Sequence, residues 1–200
     1  MNYWIFFFIC ANFFSAMSSP SQVQALEHTL NQLTSLQAQF SHEDSAGKRY
    51  RGTLFLKRPW KMRMQYDEPS PFLIVSDGQS LIYEDHSTFE ATYLPLESSP
   101  LSFLLSEKTR LTDVFEIDDI KEKEGKITLT CRDKKNYFFL TILFDQKGKS
   151  ILGWVSKDAQ GNEIKINLYN IQRNILLKET LFSFQQKPRW RVKPKEHISL

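Results

Sequence analysis

Cysteine and histidine are scarce in this chain, which limits the metal and disulfide chemistry open to it. Its 200 residues include two cysteines and four histidines, and none of these recurs with the short spacings typical of metal ligands. Cys10 lies in an apolar leader that we expect to be removed, so Cys131 would remain without a partner for a disulfide within the chain. Cys131 falls on an alternating strand pattern and is expected to be buried. We therefore predict no metal site.

The motifs of common enzyme classes are missing as well. Only seven glycines are present, and the chain has neither a GxSxG elbow nor a glycine-rich phosphate loop. Two pairs of adjacent acids, Asp67-Glu68 and Asp118-Asp119, would point to opposite faces if they lie on strands. Solvated turns and sheet edges explain these pairs better than acid–base catalysis. The sequence therefore predicts a protein that is not an enzyme and needs no cofactor.

A large excess of charge of one sign is also absent, since the formal net charge is +3. Basic residues do gather around Trp190 within residues 185–200, a combination that some nucleic-acid-binding proteins show. No RNA- or DNA-binding module is recognisable beside it, and a solvated charge run accounts for the pattern more simply. We predict an exposed, partly mobile basic tail and no nucleic-acid partner.

The apolar run at the N-terminus is too short to span a bilayer comfortably but has the length of a signal-peptide core. Residues 1–18 carry no charged side chain, and Ala16 and Ser18 provide small residues for cleavage after position 18. A basic residue near the start is missing, so an uncleaved anchor is the alternative. We expect residues 1–18 to be a signal peptide and residues 19–200 to form a single exported domain.

Alternation of apolar and polar residues dominates the middle of the chain. Residues 52–57 and 61–66 alternate as strands do, and residues 72–76 run into Asp77-Gly78, a dipeptide favoured in tight hairpins. Sixteen Phe and seven Tyr also favour β structure. Further turns recur at intervals of roughly ten residues towards the C-terminus, which is the rhythm of an antiparallel meander or barrel. The sequence therefore predicts a mainly β protein built on a single antiparallel sheet.

Two segments have helical spacing. Val23, Leu26, Leu30 and Leu33 recur at three- and four-residue intervals, which predicts an amphipathic helix with one apolar stripe. Leu101, Leu104 and Leu105 follow Ser99-Pro100 and predict a second, short helix. These helices could simply pack on their own sheet, or they could cover a ligand cavity. Periodicity alone favours the first interpretation.

One sheet face is rich in methionine and aromatic residues, because Met62, Met64 and Tyr66 alternate with Lys61, Arg63 and Gln65. Such a face cannot stay in water, and two short helices are too little to fill a wide barrel. We infer a partly filled interior with room for an apolar ligand, around which methionine side chains can re-pack. The alternative is an ordinary core. The residues assigned to the cavity are Leu54, Leu56, Met62, Met64, Tyr66, Ile74 and Ile82.

A family resemblance enters with three ordered motifs. Gly52-x-Leu54-x-Leu56-Lys57-Arg58-Pro59 is followed by Tyr66-x-x-Pro69, and then by Ile74-Val75-Ser76-Asp77-Gly78 with a strand that ends at Tyr83. In order and spacing these motifs resemble those of the periplasmic outer-membrane lipoprotein carrier (LolA) family. The resemblance extends over residues 23–184. It departs from the family at Met62 and Met64, where relatives often have aromatic residues, and in the basic tail.

The resemblance implies a fold, a function and a latch. The fold is a single sheet curled into an open, incomplete β-barrel, with a short-helix lid over an apolar cavity. The function is that of a periplasmic monomer that takes acylated lipoproteins from an inner-membrane ABC transporter and passes them to an outer-membrane receptor. Arg58 would be the lid latch. The lid residues would be Leu26, Leu30, Leu33, Leu101, Leu104 and Leu105.

Two other functions remain open on the sequence. The same fold could carry or sense another lipid, such as a glycolipid or phospholipid, or the chain could be an adaptor β-domain with a filled core and no ligand. A receptor of the same fold would need a lipid-modified cysteine, and Ile9 before Cys10 is not the small residue that such modification requires. For the carrier, we predict that Arg58→Leu folds normally but fails to release its cargo.

Overall fold

The computed structural model describes residues 20–96, 99–134, 138–184 and 191–193. The expected signal peptide and most of the basic tail therefore lie outside the described residues. The helices are α1 (Pro20–Asn31), α2 (Ser102–Leu105) and α3 (Leu111–Val114). The strands are β1 (Ser35–Glu43), β2 (Arg49–Lys57), β3 (Lys61–Tyr66), β4 (Phe72–Asp77), β5 (Ser80–Asp85), β6 (Glu90–Pro95), β7 (Phe115–Lys123), β8 (Lys126–Asp133), β9 (Phe138–Asp145), β10 (Ile151–Asp158), β11 (Glu163–Arg173) and β12 (Arg191–Lys193).

All twelve strands belong to one sheet, in the order β12-β6-β5-β4-β3-β2-β1-β11-β10-β9-β8-β7. Neighbouring strands are antiparallel except β12, which pairs parallel with β6. The edge strands β7 and β12 do not pair with each other, so the sheet is not closed into a barrel. The predicted mainly β, open architecture is confirmed. The sequence did not predict β12, which lies within the tail expected to be mobile.

Strand β1 joins the two halves of the sheet, because it pairs with β2 on one side and with β11 on the other. Phe40 of β1 lies opposite Gly52 of β2. A Cβ atom at Gly52 would meet the carbonyl oxygen of Gln65 at 2.1 Å and the Phe40 ring at 2.8 Å. Glycine at this position therefore allows the Phe40 ring to lie across β2 in the core.

The core lies on the inner face of the sheet and is completed by the helices. The stripe of α1 is buried as its periodicity predicted, and Phe103, Leu104 and Leu105 of α2 are buried with it. Burial of such side chains contributes about 1.5–3 kcal/mol each. The residues of this core from the two predicted helical segments are Val23, Leu26, Leu30, Leu33, Leu101, Phe103, Leu104 and Leu105.

A smaller apolar cluster lies on the outer face of the sheet. Val75, Ile82, Ala91 and Phe182 are buried, yet they are not part of the inner core. Phe182 belongs to a 3₁₀ turn, Glu179–Phe182, which packs against β3 and β4. The segment after β11 therefore covers part of the outer face. No helix among the described residues is both long and apolar enough to cross a membrane.

Candidate functional site

Arg58 lies in the turn between β2 and β3, and its guanidinium reaches both helical segments. Nε donates to the carbonyl of Ser106 at 2.7 Å, just after α2. Nη1 donates to the carbonyl of Leu30 in the last turn of α1 and to that of Leu33, two residues beyond the helix. Nη2 donates to Oγ1 of Thr109 at 2.9 Å. Carbonyls in the last turn of a helix have no partner within it, so they are ready acceptors. Arg58 thus connects the sheet, α1 and α2 at one point.

Partial burial of Arg58 strengthens these contacts. Burial of the guanidinium lowers its pKa from the ordinary value, but arginine stays protonated throughout the physiological range. A charged donor in a partly desolvated site makes stronger hydrogen bonds than a neutral one. The main chain adds to them, because the Trp60 N–H donates to the carbonyl of Leu105 at 2.7 Å. The turn that carries Arg58 is therefore attached to α2 by both side chain and backbone.

Asn31 and Thr109 form a second connection between the helical segments, which the sequence did not predict. The Thr109 N–H donates to Oδ1 of Asn31 at 2.8 Å, and Nδ2 of Asn31 donates to the Thr109 carbonyl at 2.9 Å. The Thr109 hydroxyl donates to the carbonyl of Phe103 at 2.6 Å. Oε1 of Glu27 on α1 accepts from the Leu111 N–H at 2.7 Å. No sequence motif marks these residues, which lie far apart along the chain.

An apolar cavity of about 240 Å³ lies between the two halves of the curled sheet. Met64 and Ile74 line it from β3 and β4, Trp154 and Ile166 line it from β10 and β11, and Leu101 closes it from the start of the helical segment. Strands that are distant in the sheet order thus face one another across this space. The complete lining is His42, Asp44, Tyr50, Met64, Tyr66, Phe72, Ile74, Tyr83, Leu101, Trp154, Ile164 and Ile166.

The predicted cavity residues fall in three places: at the cavity, in the buried core and, for Ile82, on the outer face. Met64, Tyr66 and Ile74 line the cavity directly. Leu54, Leu56 and Met62 share the same inner face but are wholly buried in the core. The predicted lid residues are all buried there too, and Leu101 alone of them contacts the described cavity.

The assignment of Ile82 to the cavity is wrong. Ile74 pairs with Tyr83 across β4 and β5, and Val75 pairs with Ile82. Because successive strand residues point to opposite faces, Ile82 lies on the outer face with Val75. Tyr83 occupies the inner position and lines the cavity.

Aromatic rings form the polar edge of the cavity, and sequence analysis missed their role. The Phe72 ring lies 5.9 Å from Tyr50, 6.0 Å from Tyr66 and 5.5 Å from Tyr83, measured between centroids. Burial raises the pKa of both Tyr66 and Tyr83 above the ordinary tyrosine value, so both hydroxyls are neutral at physiological pH. The strand registers could have identified Tyr83, whereas nothing in the sequence singled out His42.

A second, polar cavity adjoins the first, and we call it the vestibule. Its volume is about 880 Å³, and it shares His42 and Tyr50 with the apolar cavity. Charges of both signs line it. The vestibule is bounded by Ser41, His42, Glu43, Lys48, Arg49, Tyr50, Arg51, Asp67, Glu68, Pro69, Ser70, Pro71, Lys165 and Asn167.

The described part of the chain contains no group of three or more His, Cys, Asp or Glu side chains placed to hold a metal ion. The arrangement at the cavity instead offers an apolar space, an aromatic and polar edge, and a helical cover held by hydrogen bonds. Its chemistry is that of binding and enclosure.

Comparison with known proteins identifies the family. Residues 31–185 match the model of the family described as outer membrane lipoprotein carrier protein LolA. The outer-membrane lipoprotein carrier protein of Legionella pneumophila (strain Corby) is 25% identical over 193 residues, covering 90% of this chain and 94% of that protein. The protein of the same name from Methylococcus capsulatus is 28% identical over 180 residues, covering 86% of each chain.

Solved structures agree on the fold. The crystal structure of an uncharacterized conserved protein from Thermus thermophilus covers 87% of this chain and 99% of its own, with a TM-score of 0.54 and 11% sequence identity. At that identity the similarity concerns the fold alone. The family match over most of the chain is the decisive finding, and the protein belongs to the outer membrane lipoprotein carrier protein LolA family.

Proposed function

We propose that this protein is a periplasmic carrier that encloses the acyl chains of lipoproteins. It receives them from an inner-membrane ABC transporter and delivers them, as a monomer, to an outer-membrane receptor. Membership of the carrier family supports the class of cargo. Residues 1–18 would direct export and then be removed.

The observation that carries the proposal is the bonding of Arg58 to both helical segments. The described cavity, at about 240 Å³, is smaller than the roughly 300–1,000 Å³ of typical ligand pockets. Loading an acyl chain therefore requires α1 and α2 to move away from the sheet, which breaks the Arg58 contacts. Arg58 would act as a latch whose bonds form when the interior is empty and break when cargo enters.

Magnitudes are consistent with a reversible latch. A chain of roughly fourteen methylenes buried at about 0.8 kcal/mol each would contribute about 11 kcal/mol. Hydrogen bonds from a charged group are worth roughly 1.5–3 kcal/mol each. Breaking several such bonds at once offsets much of what full acyl burial contributes, and loose enclosure of the chains would leave a binding energy small enough for release. Binding and release then need no covalent step and no cofactor.

Native mass spectrometry tests the proposal. Protein lacking residues 1–18 is measured before and after mixing with a detergent-solubilised triacylated lipoprotein. A one-to-one complex that disappears when the acyl chains are removed supports the carrier. A phospholipid or glycolipid that the lipoprotein cannot displace would indicate a carrier of another lipid. Absence of any adduct would indicate an adaptor domain with a filled core.

A further inference from the structure

His42 lies at the boundary between the apolar cavity and the polar vestibule, because its side chain lines both. It stands on β1 directly opposite Tyr50 of β2, with ring centroids 5.3 Å apart. Ile164, Ile166 and the other apolar residues lie on the cavity side of this boundary. A ligand with an apolar chain and a polar head would have its junction at His42.

The hydrogen bonding of His42 is incomplete on one side of the ring. Nδ1 lies 2.8 Å from the Tyr66 hydroxyl, whereas the buried Nε2 has no hydrogen-bond partner among the described residues. Burial lowers the pKa of His42, a shift that nearby Asp44 partly opposes, so the ring is neutral at neutral pH. A buried polar atom without a partner is unfavourable and is uncommon in native proteins.

The partner of Nδ1 decides what Nε2 can bind. We assign the Tyr66 hydroxyl as the donor and Nδ1 as the acceptor, since the reverse assignment would leave both the Tyr66 O–H and Nε2 of His42 without a partner among the described residues. A neutral imidazole that accepts at one nitrogen carries its hydrogen on the other. Nε2 is then an N–H donor without an acceptor among the described residues, on a ring that lines the apolar cavity. The atom is shielded in the empty protein, so an acceptor reaches it only when the interior opens to admit a ligand.

We infer that Nε2 of His42 donates to the carbonyl oxygen of the ester or amide that joins an acyl chain to the head of the bound lipid. This inference rests on the proposed function and specifies the chemistry that the same cavity recognises. The chain lies among the apolar residues and the head extends into the vestibule. An uncharged acceptor fits better than a carboxylate or phosphate, because the Asp44 carboxylate also lines the cavity and would repel an anion.

Two probes of equal chain length test the inference. Palmitoyl glycerol ester has the carbonyl, and hexadecyl glycerol ether lacks it. The affinity of each lipid is measured from its displacement of the fluorescent probe N-phenylnaphthylamine from protein lacking residues 1–18. Lipid concentrations are kept below those at which the lipids aggregate. One neutral hydrogen bond predicts that the native protein binds the ester about 2- to 10-fold more tightly than the ether.

Variants assign the effect to His42. His42→Phe should lower the affinity for the ester to that for the ether and leave the ether affinity within about twofold. His42→Gln keeps an N–H donor and should retain part of the preference, while His28→Gln, at an exposed position on α1, should retain all of it. Circular dichroism establishes that each variant is folded.

The outcomes separate this inference from the proposed function. Equal binding of ester and ether by the native protein would overturn the role of the carbonyl and leave the carrier intact. An unchanged preference in folded His42→Phe would overturn the role of His42. Failure of the native protein to bind either lipid or the fluorescent probe would contradict the carrier function itself.

Discussion

The side chain of Asn31 forms two hydrogen bonds with the backbone of Thr109, although the two residues are 78 positions apart in the chain. Asn31 is the last residue of α1, and Thr109 follows α2. The carboxamide offers one donor and one acceptor in a fixed plane, which matches the N–H and C=O of a single residue. The pair therefore fixes the relative position of the two helical segments more narrowly than apolar packing could.

Loss of this pair should favour the open state. Asn31→Ala removes both hydrogen bonds to Thr109 and a longer one, at 3.4 Å, that Oδ1 accepts from Nη2 of Arg58. The core stays intact, because the Asn31 side chain is exposed. We expect a loss of about 1–2 kcal/mol in the free energy of unfolding and faster hydrogen exchange in residues 101–109. Gln32→Ala, at the exposed neighbouring position, is the control. Unchanged exchange in Asn31→Ala would show that the pair does not limit opening.

Removal of the latch should slow the release of cargo. Arg58→Leu loses the bonds to the helical segments, which in the proposed function stabilise the empty, closed state. The variant should therefore fold normally and retain its cargo. Loss of about 1.5–3 kcal/mol from the free energy that favours the empty, closed state corresponds to release that is roughly 10- to 150-fold slower. The measurement is transfer of an acylated lipoprotein from loaded carrier to membranes that contain the receptor.

Arg132→Leu provides the matched control for this experiment. Arg132 lies on β8 and pairs with Asp118 and Glu116 on the surface, away from the residues that line the cavity. It should transfer cargo at the native rate. Normal delivery by Arg58→Leu would refute the latch.

The successes and failures of sequence analysis share a physical cause. Two-residue alternation identified the inner face of β3, and helical spacing identified the buried stripe of α1. Both are local patterns. Assignment of Ile82 to that face required the register between β4 and β5. There Asp77 and Ser80 flank a two-residue loop, and Ile74 falls opposite Tyr83.

The sequence contained enough information to assign Ile82 to the outer face, since the loop length of a hairpin sets the register of its two strands. Asn31, Thr109 and His42 are different. Asn31 and Thr109 belong to segments 78 positions apart that meet only in the folded chain, and His42 reaches Tyr66 two strands away. No periodicity or motif distinguishes these three residues from other polar positions. Such contacts required the three-dimensional structure.

Cys131 should report on unfolding. Its side chain is wholly buried, and burial raises the pKa of the thiol to about 12. Because the thiolate is the reactive form, we expect Cys131 in protein lacking residues 1–18 to resist iodoacetamide at pH 8. The reaction should become faster by at least about 10³-fold in denaturant. Rapid modification of the native protein would mean that the sheet opens around β8.

Glu179 should stabilise the turn that carries Arg58, in a manner that depends on pH. Its carboxylate accepts hydrogen bonds from Lys57 and Lys61, which lie directly opposite each other at the ends of β2 and β3. Like charges in that position repel, and a carboxylate between them offsets the repulsion. The hydrogen bonds from the two lysines, together with their charges, lower the pKa of Glu179 from 4.5 to about 2.

The sign of the effect follows from this lowered pKa. A carboxylate whose pKa falls on folding stabilises the native state at pH values above the pKa that it has in the unfolded chain. This contribution is lost as the pH falls from about 4.5 towards 2. Glu179→Gln should therefore unfold at a lower urea concentration than the native protein at pH 7 and low salt, and at the same concentration near pH 2. Added salt should narrow the difference at pH 7. Glu163→Gln, at an exposed position of β11, is the control. If Glu179→Gln lowered the urea concentration of unfolding equally at pH 7 and pH 2, the side chain would act through packing and not through its charge.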